Sequence, residues 1–268
     1  MTVPLCLTIA GSDSGGEAGI QADLQSFSDF NCHGLSATSA LTAQNPAQIL
    51  SVNPSETKCF QDQLKALNDF FEIKYIKTGL LPNISIMEST LKFLSDDAIL
   101  VTDPLIQSTS GKSLMCRESL NFFKKYFLKR VNFLTPNFPE LKILSGIEHF
   151  TIEDIPEILG CFENTGIILK GGHSQKPGID YFYDGKLWKL EAPELKIKSS
   201  HGTGCRISSA FCAALAQGNS PLNAALAAKN YVYHALKNCR KTDKGQWLLG
   251  SPGKAESLEN NIHLSEIT

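Results

Sequence analysis

The sequence predicts an α/β fold, a three-layer sandwich in which a mostly parallel central sheet carries helices on both faces. Three observations predict it. Short apolar runs of strand length alternate with longer amphipathic segments over almost the whole chain, the pattern of strand–helix–strand units with parallel strands. No linker, internal repeat or low-complexity tract divides the 268 residues, so one domain over 1–268 is expected. Hydrophobic residues make up 42% and charged residues 19%, which supports a real core and excludes a disordered chain.

From the N-terminus, CLTIAG (6–11) reads as a buried strand and GSDSGGEAG (11–19) as a glycine-rich loop. IQADLQSFSDF (20–30) places Ile20, Leu24, Phe27 and Phe30 at helical spacing. LSATSALTAQN (35–45) is ambiguous and reads as extended chain running into a site loop. SETKCFQDQLKALNDFF (55–71) is a helix carried by Phe60, Leu64, Leu67 and Phe71. YIKTGLL (75–81) is strand-like, SIMESTLKFLS (85–95) a helix, and AILVTDPLI (98–106) a β-branched strand ending at Asp103 and Pro104. SLMCRESLNFFKKYFLKR (113–130) reads as one helix whose basic last turn suits the helix dipole. NFLTPN (132–137) is a short strand stopped by Pro136, and PELKILSG (139–146) a short helix ending in Gly. IEDIPEILGCFENTG (152–166) reads as a helix interrupted by Pro156, and IILKGGH (167–173) as a buried strand. DYFYDGKLWKLEAP (180–193) is a hairpin turning at Asp184-Gly185. After the loop SSHGTGC (199–205) come two alanine-rich helices over 206–218 and 220–239. The tail from about 241 lacks periodicity and is expected to be irregular.

Several function classes are excluded. With 25 basic against 27 acidic residues the net charge is −2, so the chain has no basic excess for a phosphate backbone and no nucleic acid is expected. No apolar run approaches the ~20 residues of a membrane span. The opening MTVPLCLTIAG lacks the basic start of a signal peptide. No membrane association and a cytoplasmic location follow as expectations. The eight cysteines include no C-x-x-C pair and no zinc-finger spacing, so free thiols are expected in a reducing compartment.

In open α/β sheets ligands bind beyond the carboxyl ends of the strands. Glycine and polar groups follow the predicted strands at 11–19, 78–79, 103–104, 136–137 and 171–173, and that shared position makes them one candidate site. Three tempting motifs fail on spacing. Gly111-Lys112-Ser113 resembles the end of a phosphate-binding P-loop, but Ile106 stands where the first Gly belongs. Gly202-Thr203-Gly204 would need a third Gly at Ile207 to seed a dinucleotide loop, and no G-x-S-x-G nucleophile elbow exists.

The most informative stretch is SSHGTGCRISSAFCAALAQG (199–218). Gly202 and Gly204 flank Thr203 just before a long helix, where glycines let backbone amides turn toward a ligand. The open amides of a first helical turn carry about half a positive charge, a ready site for a phosphate or a phosphoryl group in flight. Cys205 sits at that start, where the dipole is expected to lower its thiol pKa. A thiolate there takes a proton from a substrate hydroxyl or only orients it. A plain helix start with a small packed cysteine remains open on the segment alone.

Seven blocks in order, AGSDSGGEAGIQADLQSF (10–27), SALTAQN (39–45), IKTGLL (76–81), DPLI (103–106), TPNFPE (135–140), LKGGH (169–173) and HGTGC (201–205), give the chain its resemblance to the ribokinase-like kinases of the pyrimidine branch, the hydroxymethylpyrimidine and phosphomethylpyrimidine kinases of thiamine biosynthesis. The resemblance implies a ribokinase-like sandwich, ATP as donor, Mg²⁺, and transfer of the γ-phosphoryl group to a primary alcohol and then to the resulting monophosphate. Carried over by position, Asp23 and Gln44 hold the aminopyrimidine and Gly11 lets the backbone approach its ring. A carboxylate and a carboxamide match the donor and acceptor edges of such a ring. Asn137 and Glu140 match an Asn-x-x-Glu element that positions Mg²⁺ mostly through water, and Asp103 adds charge near the metal. Asn137 also has the position of a helix cap. Lys170 neutralises phosphate as a point charge, whereas His173 reads as a loop histidine. Residues Gly202, Thr203, Gly204 and Cys205 map onto the anion hole, with Cys205 where sugar kinases of the superfamily carry an Asp base.

The chain departs from that pattern at Glu17 in the glycine loop, Leu80 for the usual Met, 107–110 where no Lys meets a substrate phosphate, and Arg206 after the Cys, which opposes the dipole or pairs with phosphate. The second phosphorylation is therefore less firmly implied than the first. Pyridoxal kinases share several of these blocks, so a pyridoxal kinase is the enzymatic alternative, and a non-catalytic pyrimidine-binding module the other. The family's habit also makes a homodimer one expected assembly.

Overall fold

The computed structural model describes residues 2–107, 114–160, 162, 165–171, 178–195 and 201–267. The first half runs β1 (Leu5–Asp13), α1 (Gly19–Asp29), β2 (His33–Asn45), β3 (Gln48–Pro54), α2 (Thr57–Asn68), β4 (Tyr75–Thr78), α3 (Ile84–Phe93) and β5 (Ile99–Thr102). Then follow α4 (Arg117–Phe122), β6 (Phe133–Leu134), α5 (Phe138–Ser145), α6 (Ile155–Gly160), β7 (Gly166–Leu169), β8 (Ile179–Tyr183) and β9 (Leu187–Glu191). The chain closes with α7 (Thr203–Ala216), α8 (Pro221–Lys237), β10 (Arg240–Lys241), β11 (Trp247–Leu248) and β12 (His263–Ile267).

Ten strands form one sheet in the order β12-β9-β8-β7-β6-β5-β4-β1-β2-β3. From β2 through β7 the neighbours are parallel, and β3, β8, β9 and β12 add antiparallel flanks. The central strands read as unbroken apolar runs because both of their faces are covered. Leu7 and Ile9 of β1 enter one apolar layer and Cys6 the other, and β7 divides Ile167 and Leu169 from Ile168 in the same way. The first layer packs Phe60 of α2, Met87 of α3 and Leu141 of α5. The second packs Phe27 of α1, Phe211 of α7 and Ala228 of α8. The alanines of α7 and α8 let these two helices lie close to the sheet and to each other.

Four local expectations are corrected. The ambiguous 35–45 segment is a thirteen-residue strand that turns into an antiparallel hairpin with β3. Pairing of β1 with β2 shifts between Ala10 and Gly11: Ala10 faces Thr38 but Gly11 faces Ala40. The extra residue, Ser39, is buried and donates through Oγ to the Leu80 carbonyl at 2.5 Å. The long helix expected over 113–130 starts at Arg117, widens into a π-helix at Phe123–Phe127 and tightens into a 3-10 turn at Leu128–Arg130. Phe123 and Phe127 are both buried there and stack at 5.3 Å. Among the described residues, the helix expected over 152–166 is α6 alone, with Pro156 in its first turn, where a missing N–H costs nothing. The tail is not irregular throughout, because β12 pairs along β9 from His263 to Ile267.

Candidate active site

A cavity of about 640 Å³ opens beyond the carboxyl ends of β1, β4, β5 and β7. Gly11, Gln44, Lys77, Asp103, Asn137, Glu140, Lys170, Gly202, Thr203, Gly204 and Cys205 all line it. Ten of the eleven residues expected at a site thus line this one cavity; Asp23 does not. On the β3 side the wall is apolar, with Ile49, Val52 and Leu80, and on the β9 and α8 side it carries Ala192, Pro193, Val232 and Tyr233.

Asp23 lies on the buried face of α1, beside Ala22, Ser26 and Phe27, and is fully enclosed. Its Oδ2 accepts from Thr8 Oγ1 at 2.6 Å, and Lys77 Nζ reaches Oδ1 at 2.9 Å and Oδ2 at 2.7 Å. The expectation that Asp23 faces the ligand is therefore corrected: it stands behind the wall and anchors Lys77, which is on it. Burial raises the Asp23 pKa against the pull of Lys77. Burial works most strongly against the Lys77 ammonium, but Asp23 together with the neighbouring Cys205 and Asp103 outweighs it and raises that pKa. The two-pronged contact favours the ion pair. Lys77 was missed in the sequence, although a lysine between Ile76 and Thr78 of a buried strand was a visible signal.

The turn before α7 has the geometry of an anion cradle. Gly202 takes a left-handed φ of 80°, and no side chain caps the helix start. A Cβ on Gly202 would sit 2.1 Å from the Glu17 carbonyl oxygen, and one on Gly204 would sit 3.2 Å from Lys170 Nζ and 3.5 Å from Asp103 Oδ2. Gly202 is therefore needed as a glycine, and Gly204 brings backbone close to the charged pair, where a Cβ would crowd only the mobile end of Lys170. Cys205 is buried beside them, and its thiol is not activated. Burial pushes its pKa up to about 11, Asp23 and Asp103 add to the rise, and Lys77 and the Gly19 amide offset only part of it. The expectation of a lowered pKa is corrected, because loss of water and two nearby carboxylates outweigh the helix dipole.

Asp103 and Glu140 sit on either side of Lys170. Lys170 Nζ lies 2.7 Å from Asp103 Oδ1 and 3.9 Å from Glu140 Oε2. Burial opposes the Lys170 charge, but these two carboxylates raise its pKa overall. Burial raises Glu140 as well, with Lys170 pulling against it and Asp103 adding to it. Asn137 caps α5 in a reciprocal box: its side chain accepts from the Glu140 amide at 2.8 Å, and Glu140 Oε2 accepts from the Asn137 amide at 2.9 Å. Asp103 Oδ2 is buried with no hydrogen-bond partner. Among the described residues no three His, Cys, Asp or Glu side chains cluster to hold a metal by themselves. That sparse, all-oxygen set fits a magnesium ion, which keeps water and shares phosphate oxygens, and does not fit a closed transition-metal cage.

The glycine loop is organised by Asp13. Its Oδ1 accepts from the Gly15 amide at 2.6 Å, and its Oδ2 from Glu17 and Ala18 amides at 3.1 and 2.8 Å. His201 Nε2 lies 3.9 Å from Oδ2. Burial alone would raise Asp13, but His201, Gln44 and the loop amides hold it down at about 2. Arg206 does not reach the cavity; its guanidinium donates to the Gly250 carbonyl at 3.3 Å, which corrects the phosphate-pairing option. The Lys112 decoy, Gly172, His173 and most of 107–110 lie outside the described residues, while Gln107 lines the cavity. No helix among the described residues is long and apolar enough to cross a membrane.

A sequence model of the family described as phosphomethylpyrimidine kinase matches residues 13–249. The hydroxymethylpyrimidine/phosphomethylpyrimidine kinase of Aquifex aeolicus is 36% identical over 249 residues, 90% of this chain and 97% of that one. The thiamine biosynthetic bifunctional enzyme of Arabidopsis thaliana is 36% identical over 87% of this chain and 47% of its own length. Among solved structures, the pyridoxal kinase of Staphylococcus aureus in complex with ADP superposes with a TM-score of 0.88 at 28% identity over all of both chains. The phosphomethylpyrimidine kinase of Clostridium difficile superposes at 0.74 with 30% identity, over 87% of this chain and 99% of that one.

Proposed function

The chain belongs to the phosphomethylpyrimidine kinase family and has its ribokinase-like fold, and from that premise we propose that it transfers the terminal phosphoryl group of ATP to the hydroxymethyl oxygen of 4-amino-5-hydroxymethyl-2-methylpyrimidine and then to its monophosphate, in thiamine biosynthesis. One observation carries the reading. The 202–205 turn, Lys170 and Asp103 converge within contact distance on one side of a cavity large enough for a heterocycle and a nucleotide phosphate chain.

The phosphates of ATP lie against the amides at Gly202, Thr203, Gly204 and Cys205, with Lys170 neutralising charge on the transferred group. The aminopyrimidine sits toward β1 and β2, with Gly11 at its face and Gln44 at its polar edge. Phosphoryl transfer passes through a loose transition state, so alignment and charge stabilisation count for more than a strong base. A neutral Cys205 thiol is consistent with that: it orients the alcohol, the bond from the γ-phosphorus to the ADP leaving group breaks as the new P–O bond forms, and the alcohol proton passes to an oxygen of the transferred phosphoryl group. Lys77, fixed by Asp23, supplies positive charge under the reacting centre. Asp103, Glu140 and Asn137 would hold Mg²⁺, which when bound neutralises charge on the nucleotide phosphates. The ten-stranded sheet spanning Leu5 to Ile267 supports a single domain. Exposed Leu41 and Leu50 on the edge hairpin support a homodimer, and the unbridged cysteines among the described residues support a cytoplasmic location.

The full-length backbone match to a pyridoxal kinase favours pyridoxal phosphorylation as the second reading. An ATP-consumption assay with the pyrimidine alcohol, its monophosphate and pyridoxal separates them. Turnover of both pyrimidines is expected. Turnover of pyridoxal alone installs the second reading, and tight pyrimidine binding without ATP consumption leaves only a binding module.

A further inference from the structure

Two charged residues near the anion cradle, Glu17 and Arg206, do not line the cavity. Glu17 is the residue of the glycine loop whose carbonyl packs directly against Gly202. Its Oε2 accepts from the Leu249 amide at 2.8 Å. Arg206, one turn into α7, is 6% exposed and donates to the Gly250 carbonyl at 3.3 Å. Its Nε is buried without a partner, and no carboxylate among the described residues lies in salt-bridge contact with it. A guanidinium buried for one carbonyl contact is costly if stability is its only role.

The two side chains therefore grip adjacent residues of the tail, one by an N–H and the other by a C=O. That segment is itself fixed to the end of α8. The Gly250 amide donates to the Ala235 carbonyl at 3.1 Å, and Asn238 Nδ2 to the Ser251 carbonyl at 3.0 Å. A Cβ on Gly250 would strike the Asn238 carbonyl at 2.1 Å, so the segment has little room to shift. Leu249 Cδ1 also lies 3.3 Å from the Cβ position of Gly202. Glycine loop, α7 and α8 are thus tied at one point immediately behind the cradle.

We propose that Glu17 and Arg206 are positioning residues that clamp Leu249 and Gly250 behind the 202–205 turn, holding its amides in the geometry that receives the transferred phosphoryl group. Donors of this kind act only when correctly aimed. Loosening the clamp acts on the transition state and leaves the ring contacts at Gly11 and Gln44 in place. The inference rests on the kinase reading of the cradle.

The test is steady-state kinetics with ATP and the pyrimidine alcohol on Glu17→Ala, Glu17→Gln, Arg206→Ala and the double alanine variant, with amide hydrogen exchange over 202–206. Glu17→Ala is expected to lower kcat about tenfold, with KM for the alcohol within about twofold. Glu17→Gln restores kcat, since its amide oxygen still accepts from Leu249. The double variant is no slower than the worse single one, because both release one segment. Exchange at the turn rises in each alanine variant. Unchanged kcat and exchange in Glu17→Ala, no rescue by Gln, or multiplicative losses would overturn the clamp. Arg206→Lys keeps the charge and shortens the reach to Gly250, so it repeats the test if an alanine variant fails to fold. Should the parent chain turn over none of the three alcohols, the exchange arm decides alone: faster exchange supports the clamp and unchanged exchange overturns it.

Discussion

Lys77 Nζ lies 2.9 and 2.7 Å from the two carboxylate oxygens of Asp23, and neither side chain reaches solvent. A pair so enclosed is tolerated only while both partners are present. Lys77→Met strands a buried carboxylate and is expected to cost ~3–5 kcal/mol of stability. The double variant Lys77→Met/Asp23→Leu is expected to recover most of that stability but not the activity, because the cation proposed to lie under the reacting centre is still gone. Denaturant titration of the three proteins beside kcat checks both halves. A double variant as active as the parent would remove Lys77 from the site.

The cradle glycine and the cradle cysteine are expected to behave differently. Gly202→Ala forces a side chain into a left-handed turn and against the Glu17 carbonyl, and is expected to lower kcat ~10²–10³-fold, the scale of a lost anion-hole donor. Cys205→Ser should retain activity within about tenfold, since orienting a hydroxyl needs no strong base. With its thiol pushed up to about 11, Cys205 contributes no ionisation to the rate profile between pH 6 and 9. A limb in that window that vanishes in Cys205→Ser would show that the thiolate does act as the base.

Asp13 ties the glycine loop down through three amides, and its pKa falls from 3.8 to about 2 in the folded chain. A carboxyl depressed by folding contributes stability that is complete above its unfolded pKa and is lost as pH drops through the folded value. The stability difference between the parent and Asp13→Asn is therefore expected to narrow as pH falls from about 4 to about 2. Thermal unfolding at several pH values measures it, and a difference that stays constant across that window contradicts the assignment.

Glu140 serves both α5 and the charged wall, and one substitution separates these duties. Glutamine also closes a capping box, so Glu140→Gln should leave the melting temperature nearly unchanged. It removes the negative charge beside Lys170 and Asp103, and the magnesium concentration needed for half-maximal rate is expected to rise about tenfold or more. A normal magnesium requirement in this variant would leave Glu140 with the helix alone.

Much of this was legible in the sequence. The runs 6–11 and 167–169 were recognisable because strands covered on both faces are mostly apolar at successive positions, although β1 runs on through Ser12 to Asp13 where a loop was expected. Gly202 and Gly204 declared themselves by preceding a long helix, and Lys170 by ending a buried strand. The illegible parts depend on contacts distant in sequence. Asp23 looks like a surface helix residue until its partner at Lys77 is known, and Cys205 at a helix start looks activated until the surrounding burial and carboxylates are counted. The π-helix at Phe123–Phe127 and the edge strand His263–Ile267 are set by packing that no local periodicity encodes.

The extra residue in β2 opposite the Ala10 and Gly11 step works as a parity switch. Before Ser39 the enclosed positions are the odd-numbered Leu35 and Ala37; after it, the even-numbered Thr42 and Gln44 turn to the cavity while Leu41 points to water. Deleting one residue there would present Leu41 and Ala43 to the cavity and send Gln44 outside, with composition and hydrophobicity almost unaltered. Which side chains this hairpin turns to the cavity is thus stored as a count of residues as much as in their chemistry.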